Sequence, residues 1–420
     1  MIHFGLNSKH SNIFHKQNEH QIATSKPLYL TNTLRSFALS LTGIFIPIYL
    51  FQNVPKHFLE NFNIEPSVNK TIIFVVLFYL LKSTFILVFL HFSINFMFGK
   101  LSFKTSIMTG NFLLALGIFM LIQMEYLPVT LIIVMASMIF ALSNIFYWIP
   151  FHTFFIRSNI ESLHYGKEVS QRVFWSNMVS AISPAIGGFV AFIYGFESLF
   201  MFAMAVLILS GLPTLFYTKE HAHGKHNSIK IIKTYFFSKR YTLNMLGTMA
   251  IGIDSIMFEI FSAILLFSVS PVIADIGYIS SIAVILMMWI TIIMGKIVDQ
   301  VGARELQKVG LILNSLLYIP RFFVTGLPTV FAIHILDKMN SSLIAVPLAA
   351  TTYETARNEV NQSDYIIYRE FSINLGLIIF SSFFILMLAY GFNWRSIFLL
   401  LAILSPFAYL IKVLDKKENS

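Results

Sequence analysis

Twelve apolar runs, each long enough to cross a bilayer, divide this 420-residue chain. They lie at about 28–52, 71–98, 105–123, 128–152, 170–194 and 198–217, then at about 242–268, 275–295, 309–325, 329–350, 366–391 and 395–412. A helix needs roughly 20 apolar residues to span the hydrocarbon core. There every backbone polar group must be satisfied within the protein, which helices achieve on their own. The expected fold is therefore all-α, with twelve transmembrane helices. Charged residues make up only 12% of the chain and hydrophobic ones 56%, whereas soluble domains carry about 25% charge. This balance excludes a globular enzyme, a nucleic-acid binder and a disordered scaffold. The chain has no cysteine, so disulfides, thiolate metal sites and cysteine nucleophiles are excluded too. No metal or cofactor is expected.

The first 27 residues are polar and lack the apolar centre of a signal peptide. They read as a tail, followed by six spans over 28–217, a hydrophilic linker over 218–240, six more spans over 241–414, and a short tail over 415–420. Alternate loops differ sharply in charge. Those on the side of the termini and linker hold 20 Lys and Arg, the opposite loops hold only Lys56, Lys70 and Arg395, and the other 6 of the 29 lie within spans. Positive loops stay in the cytoplasm, so both termini and the linker are expected there. The same asymmetry accounts for most of the net charge of +9. In the linker, Ile229 to Tyr241 mixes Lys with Ile and Phe, as an interfacial helix on anionic lipid would.

The halves repeat one another. Gly99-Lys100 recurs as Gly295-Lys296, and Pro150 meets Pro347 at nearly the same offset. RVFWSN at 172–177 aligns with REFSIN at 369–374, and the YGF at 194–196 returns at 390–392. GIFIPIYLF at 43–51 resembles EIFSAILLF at 259–267, with the larger offset absorbed by the longer loop at 53–70. Parallel repeats of this kind are a hallmark of rocking transporters.

Over essentially all its spans the chain resembles the major facilitator superfamily. The most specific residues are GKIVDQVGAR at 295–304, similar to that family's G-x-x-x-D-x-x-G-R/K turn through Gly295, Asp299, Gly302 and Arg304. The resemblance implies two pseudo-symmetric six-helix bundles and a gate at this turn, where Asp299 would accept bonds from a neighbouring helix N-terminus. In the first-half copy Phe103 stands where Asp299 stands in the second, so the gate is expected to be asymmetric. SPAIGG at 183–188 is similar to the core of the family's antiporter signature, with Ser183 in place of a glycine. Pro184, Gly187 and Gly188 would allow a bend and close packing. That signature accompanies exporters and points outward.

Ionisable groups at bilayer depth are candidate sites in their own right. His334, Asp337, Lys338 and Ser341 share one face of span 10, and Asn244, Thr248, Ser255, Glu259 and Ser262 form a stripe on span 7, with Asp254 beside it. Span 4 carries Ser137, Asn144, Tyr147 and Trp148. In the resembled family spans 1, 4, 7 and 10 line the cavity. Lys82 in span 2 needs a partner: Glu259, Asp254 or Asp337. A static ion pair is the competing reading for Asp337 and Lys338. Arg35 is read as snorkelling to the cytoplasmic face, His91 as structural, and Arg369 with Glu370 as inter-helix clamps.

The expectation is a secondary transporter, not an enzyme, moving a small organic solute across a bacterial inner membrane by alternating access. Export coupled to protons is expected, through Glu259 or Asp337 as a carboxylate that a proton and a cation compete for. The family's proton-coupled exporters carry an arginine in mid span 4 that this chain lacks. A lipid flippase or a non-transporting sensor is the alternative. The expected partners are the solute, protons and the lipid bilayer, with no nucleic acid, and the chain is expected to be a monomer. The 18 Met and 44 Phe lean towards apolar cargo.

Overall fold

A computed structural model describes residues 27–55, 67–158, 165–216, 228–301 and 303–414. Both expected tails and most of the first half of the linker lie outside the described residues. Among the described residues every regular element is helical: α1 (Pro27–Val54), α2 (Val68–Lys100), α3 (Phe103–Ile122), α4 (Val129–Ser158), α5 (Tyr165–Ser210), α6 (Ser228–Phe236), α7 (Thr242–Val269), α8 (Ile273–Val301), α9 (Ala303–Phe323), α10 (Leu327–Asn358), α11 (Gln362–Ala389) and α12 (Ser396–Leu404). Short 3-10 turns follow α5 at Leu212–Phe216 and α12 at Ser405–Leu410. The chain is an all-helical, multi-pass membrane protein.

Seven of the described helices are long and apolar enough to cross a membrane on composition alone. α9 and α10 fall outside that set because they carry Arg321 and the His334, Asp337, Lys338 group that the bilayer would otherwise reject. α8 and α12 are apolar over shorter stretches, Ile273–Trp289 and Ser396–Leu410. Helix ends also shift from expectation. α4 and α10 run on to Ser158 and Asn358, carrying Pro150 and Pro347 inside them. Where apolar runs at 170–194 and 198–217 suggested two helices, α5 is continuous through Pro184 and breaks only at Gly195 (φ 84°, ψ 166°).

That break belongs to the repeat. Gly195 and Gly391, the two YGF glycines, are the positive-φ glycines of the described chain, at 84° and 87°. Residues with side chains rarely adopt that backbone, so both copies of the motif call for glycine at this position.

The α6 helix buries Ser228, Ile231 and Tyr235 and exposes Lys230 and Lys233. Its buried face is tied down at both ends: Ser228 Oγ meets His91 Nδ1 at 2.7 Å, and the Tyr235 hydroxyl donates to Glu359 Oε2 at 3.0 Å. The linker helix therefore bridges α2 in the first half and the end of α10 in the second. We call this the linker end of the bundle, and the opposite one the far end.

Packing across the halves is concentrated at both ends. At the linker end His152 on α4 bonds the Tyr353 hydroxyl on α10 at 2.8 Å, and Phe155 packs on the same ring at 5.0 Å. At the far end Phe51 of α1 meets Phe267 of α7 at 6.2 Å, and Asn69 of α2 donates to the Phe392 carbonyl at 2.8 Å. Between the ends α5 crosses α8 where Gly188 faces Gly277. A Cβ on Gly188 would come to 3.0 Å from both the Gly277 Cα and the Ile273 carbonyl oxygen, so only glycine lets these backbones approach.

Candidate functional site

A cavity of about 500 Å³ lies between the two packed ends. It is lined from α1, α5, α7, α8, α9 and α10. All four residues of the expected α10 face, His334, Asp337, Lys338 and Ser341, line it, as do Ser255, Glu259 and Ser262 of the α7 stripe. Asp254, set beside that stripe by sequence, lines it too. Ser255 and Glu259 are exposed although they sit in mid-helix, because the cavity opens onto them. The remainder of the α7 stripe serves packing: Asn244 donates to the Lys412 carbonyl at 2.8 Å.

The charges are not paired as the sequence suggested. Asp337 is bound to Arg321, within a turn of the end of α9, and not to its neighbour Lys338. Both partners are almost fully buried, and the Arg321 guanidinium also lies 4.7 Å from the Phe258 ring and 5.6 Å from Phe398. Arg321 is inconspicuous in the sequence because it stands near the end of an apolar run, where an arginine is expected to reach for the headgroups. The available signal was its helix partner, a buried aspartate on the next span.

Asp254 is held by neutral groups. Asn314 Nδ2 donates to its Oδ2 at 3.1 Å and to Ser405 Oγ at 2.9 Å, and Tyr318 bonds it as well. His334 Nδ1 meets Ser262 Oγ at 3.2 Å. Among the described residues neither Glu259 nor Lys338 forms an ion pair. Lys338 feels the Glu259 carboxylate, and Glu259 is also the first carboxylate to act on Lys82, ahead of Glu370. Of the three partners considered for Lys82, Glu259 is thus its electrostatic neighbour, at more than ion-pair distance. Lys82 itself lies near the Tyr79 ring, 5.9 Å from its centre, outside the cavity lining.

The span 4 stripe does not reach this cavity. Asn144 is half-buried on α4, and Trp148 stacks on His152 at 5.2 Å, in the layer that closes the linker end. Arg35 does not snorkel. It is 3% exposed, lies 3.7 Å over the Tyr147 ring of α4, and donates to Asn111 Oδ1 at 2.6 Å. A cation from α1 therefore sits against mid α4, where that helix has none of its own. Arg369 and Glu370 bond each other at 2.6 Å and do not clamp separate helices. His91 is structural, anchoring Ser228 at the start of α6.

Pro184 lines the cavity, and Gly187 packs against α1, where a Cβ would lie 2.7 Å from the Leu41 carbonyl oxygen. Ala185 N–H donates to Ser281 Oγ on α8 at 2.8 Å. Of the turn motif, Arg304 is exposed and lies 4.9 Å from the Tyr409 ring. The surroundings of Gly295, the side chain of Asp299 and all of Gly302 lie outside the described residues. Among the described residues no group of three His, Asp or Glu side chains is placed to hold a metal ion.

The solved structure of a point mutant of the nucleoside transporter NupG superposes with a TM-score of 0.60 over 91% of this chain and 99% of that one. The chain has the major facilitator fold. Identity to NupG is 14%, so the likeness speaks for architecture. A second similarity is to the multi-drug resistance efflux pump PmrA homolog of Lactococcus lactis subsp. lactis (strain IL1403), 27% identical over 152 residues. That match spans 34% of this chain and 38% of the efflux pump homolog. No protein-family model matches the sequence.

Proposed function

We propose that this chain is a secondary transporter that moves a small organic solute by alternating access through the cavity between α1, α7 and α10. The observation that carries this reading is the placement of the cavity. It lies between two layers of cross-half contacts, His152–Tyr353 at the linker end and Phe51–Phe267 at the far end. Parting one layer while the other holds would expose the same residues to opposite sides in turn. The twelve spans divide into bundles over 28–217 and 241–414, joined by the linker at 218–240. The positive loops favour an inner membrane with both termini in the cytoplasm, and the chain acts as a monomer. Glu259, exposed to the cavity and free of an ion pair, is the carboxylate through which a proton would couple. The efflux pump homolog favours export.

The absence of cysteine makes the test clean. Ser255→Cys places one thiol in the cavity, to be labelled by a membrane-impermeant maleimide in right-side-out and inverted vesicles. Labelling from both sides is expected, with one side lost when Phe51→Cys and Phe267→Cys are cross-linked at the far end. Labelling from a single side under all conditions would overturn the transport reading and favour a sensor.

A further inference from the structure

We infer that the cavity takes a zwitterionic solute of amino-acid type, its ammonium group set against Asp254 and Glu259 and its acid group against Lys338. This deepens the transport reading and rests on it. The argument begins with which charges are already spent. Asp337 is neutralised by Arg321, so it offers no net charge to a ligand. Glu259 and Lys338 remain: opposite in sign, lining one cavity, and among the described residues in no ion pair. Had the protein needed them only for packing, joining them would have been the cheapest arrangement, because an unpaired charge at this depth is costly. A ligand that carries both charges satisfies each of them at once.

Two buried atoms point the same way. Asp254 is 6% exposed and His334 3%, both line the cavity, and Asp254 Oδ1 and His334 Nε2 have no hydrogen-bond partner among the described residues. A buried polar atom left unsatisfied costs free energy, so the packed protein leaves polar capacity unused beside the cavity. Asp254 Oδ1 adds acceptor capacity on the carboxylate side, since Asp254 lies five residues before Glu259 on α7 and lines the same cavity. Hydroxyls and an amide add to this polar side, with Ser40, Asn177, Ser180 and Ser280 facing in from α1, α5 and α8, while Leu39, Ile44, Ile251, Val284, Ile344 and Leu348 supply an aliphatic wall. Phe258 and Met287 are the lining's single phenylalanine and methionine. The Phe and Met wealth of the chain therefore faces elsewhere, and the aliphatic wall leaves room for the apolar side chain of such a solute. A volume of about 500 Å³ suits a small solute.

The test uses the purified full chain in detergent and matched ligands: the common L-amino acids, their methyl esters, which keep only the cation, and their N-acetyl derivatives, which keep only the anion. At least one free amino acid should raise the melting temperature saturably, with its ester and acetyl forms binding at least tenfold more weakly. Glu259→Gln should weaken the free amino acid while sparing the acetyl form, and Lys338→Met should do the converse, sparing the ester. Because Glu259 neighbours Lys82 and Lys338, each variant is compared with its own ligand-free melting temperature. A single-charge derivative that binds as well as its parent would overturn the inference, and so would a complete lack of binding. If Ser255→Cys still labels from both sides in that case, transport stands and only the ligand class falls. If it does not, both readings fall.

Discussion

Asn111 on α3 and Asn314 on α9 make the same bonds in the two halves of the chain. Each donates its Nδ2 to a serine at the end of the last span of its half, Ser210 at 2.8 Å and Ser405 at 2.9 Å. Each also holds a charge from the first span of its half, but the charges are opposite: Arg35 donates to Asn111, whereas Asn314 donates to Asp254. The second strut of each half matches too, with Ser143 Oγ donating to the Gly110 carbonyl and Asn340 Nδ2 to the Gly310 carbonyl, at 2.8 and 2.9 Å. The two halves thus share these posts and differ in the charge the posts hold.

The opposite signs predict opposite responses to one substitution. Asn111→Asp places a carboxylate beside Arg35 and should be tolerated far better than Asn111→Ala, which strips a buried cation of its acceptor. Asn314→Asp sets a second carboxylate against Asp254 and should be worse than Asn314→Ala. Losing a buried bond to a charged group costs about 1.5–3 kcal/mol. Melting of the four variants in detergent measures the order, and the same order in both halves would refute the assignment.

The Arg321–Asp337 pair makes a second prediction. Removing one member leaves an uncompensated buried charge, at about 3–5 kcal/mol, whereas removing both is far milder. Asp337→Asn and Arg321→Gln should each lower the melting temperature strongly, and the double variant should recover much of the loss. Equal damage from single and double variants would mean the two act separately.

Gly188 and Gly277 set the approach of α5 to α8. With neighbours at 3.0 Å from an added Cβ, much of it backbone, a larger side chain has nowhere to go. Gly188→Val should cost about 1–3 kcal/mol, the range for overpacking a tight contact. The same change at Gly99, where a Cβ would meet nothing within 4 Å, should be close to neutral. Paired melting curves decide it.

Much of this was legible in the amino acids, and the misses share a cause. Length and polarity located the helices, because the bilayer sets both. The α10 face was legible because four polar residues at i, i+3, i+4 and i+7 have no other reason to share a side. Pairing between helices was not. Asp337 chose Arg321 over the adjacent Lys338, and Arg35 turned inward to Tyr147, since both choices depend on which helices touch and in what rotation. Periodicity fixes a residue's face but not the face opposite. The span 4 stripe failed for the same reason: its polar side meets Arg35 and the linker-end layer, not the cavity.

The linker strap gives the last prediction, a dependence on pH. Tyr235 and Tyr241 both donate to Glu359, at 3.0 and 2.7 Å. Burial first, and then the Glu359 carboxylate, push the Tyr235 phenol well above its ordinary value of 10.0. A group whose value rises on folding adds stability that is complete below the unfolded value and lost as pH climbs through the folded one. The strap should therefore hold unchanged across neutral pH and weaken only in the alkaline range, above the ordinary phenol value. Melting of the wild type should be flat with respect to this pair up to about pH 9, then fall. Tyr235→Phe should melt lower at neutral pH and lose part of the alkaline fall, because it has already given up the bond. A Tyr235→Phe variant that melts like the wild type at neutral pH and keeps the full alkaline fall would show that Tyr235 serves by packing alone.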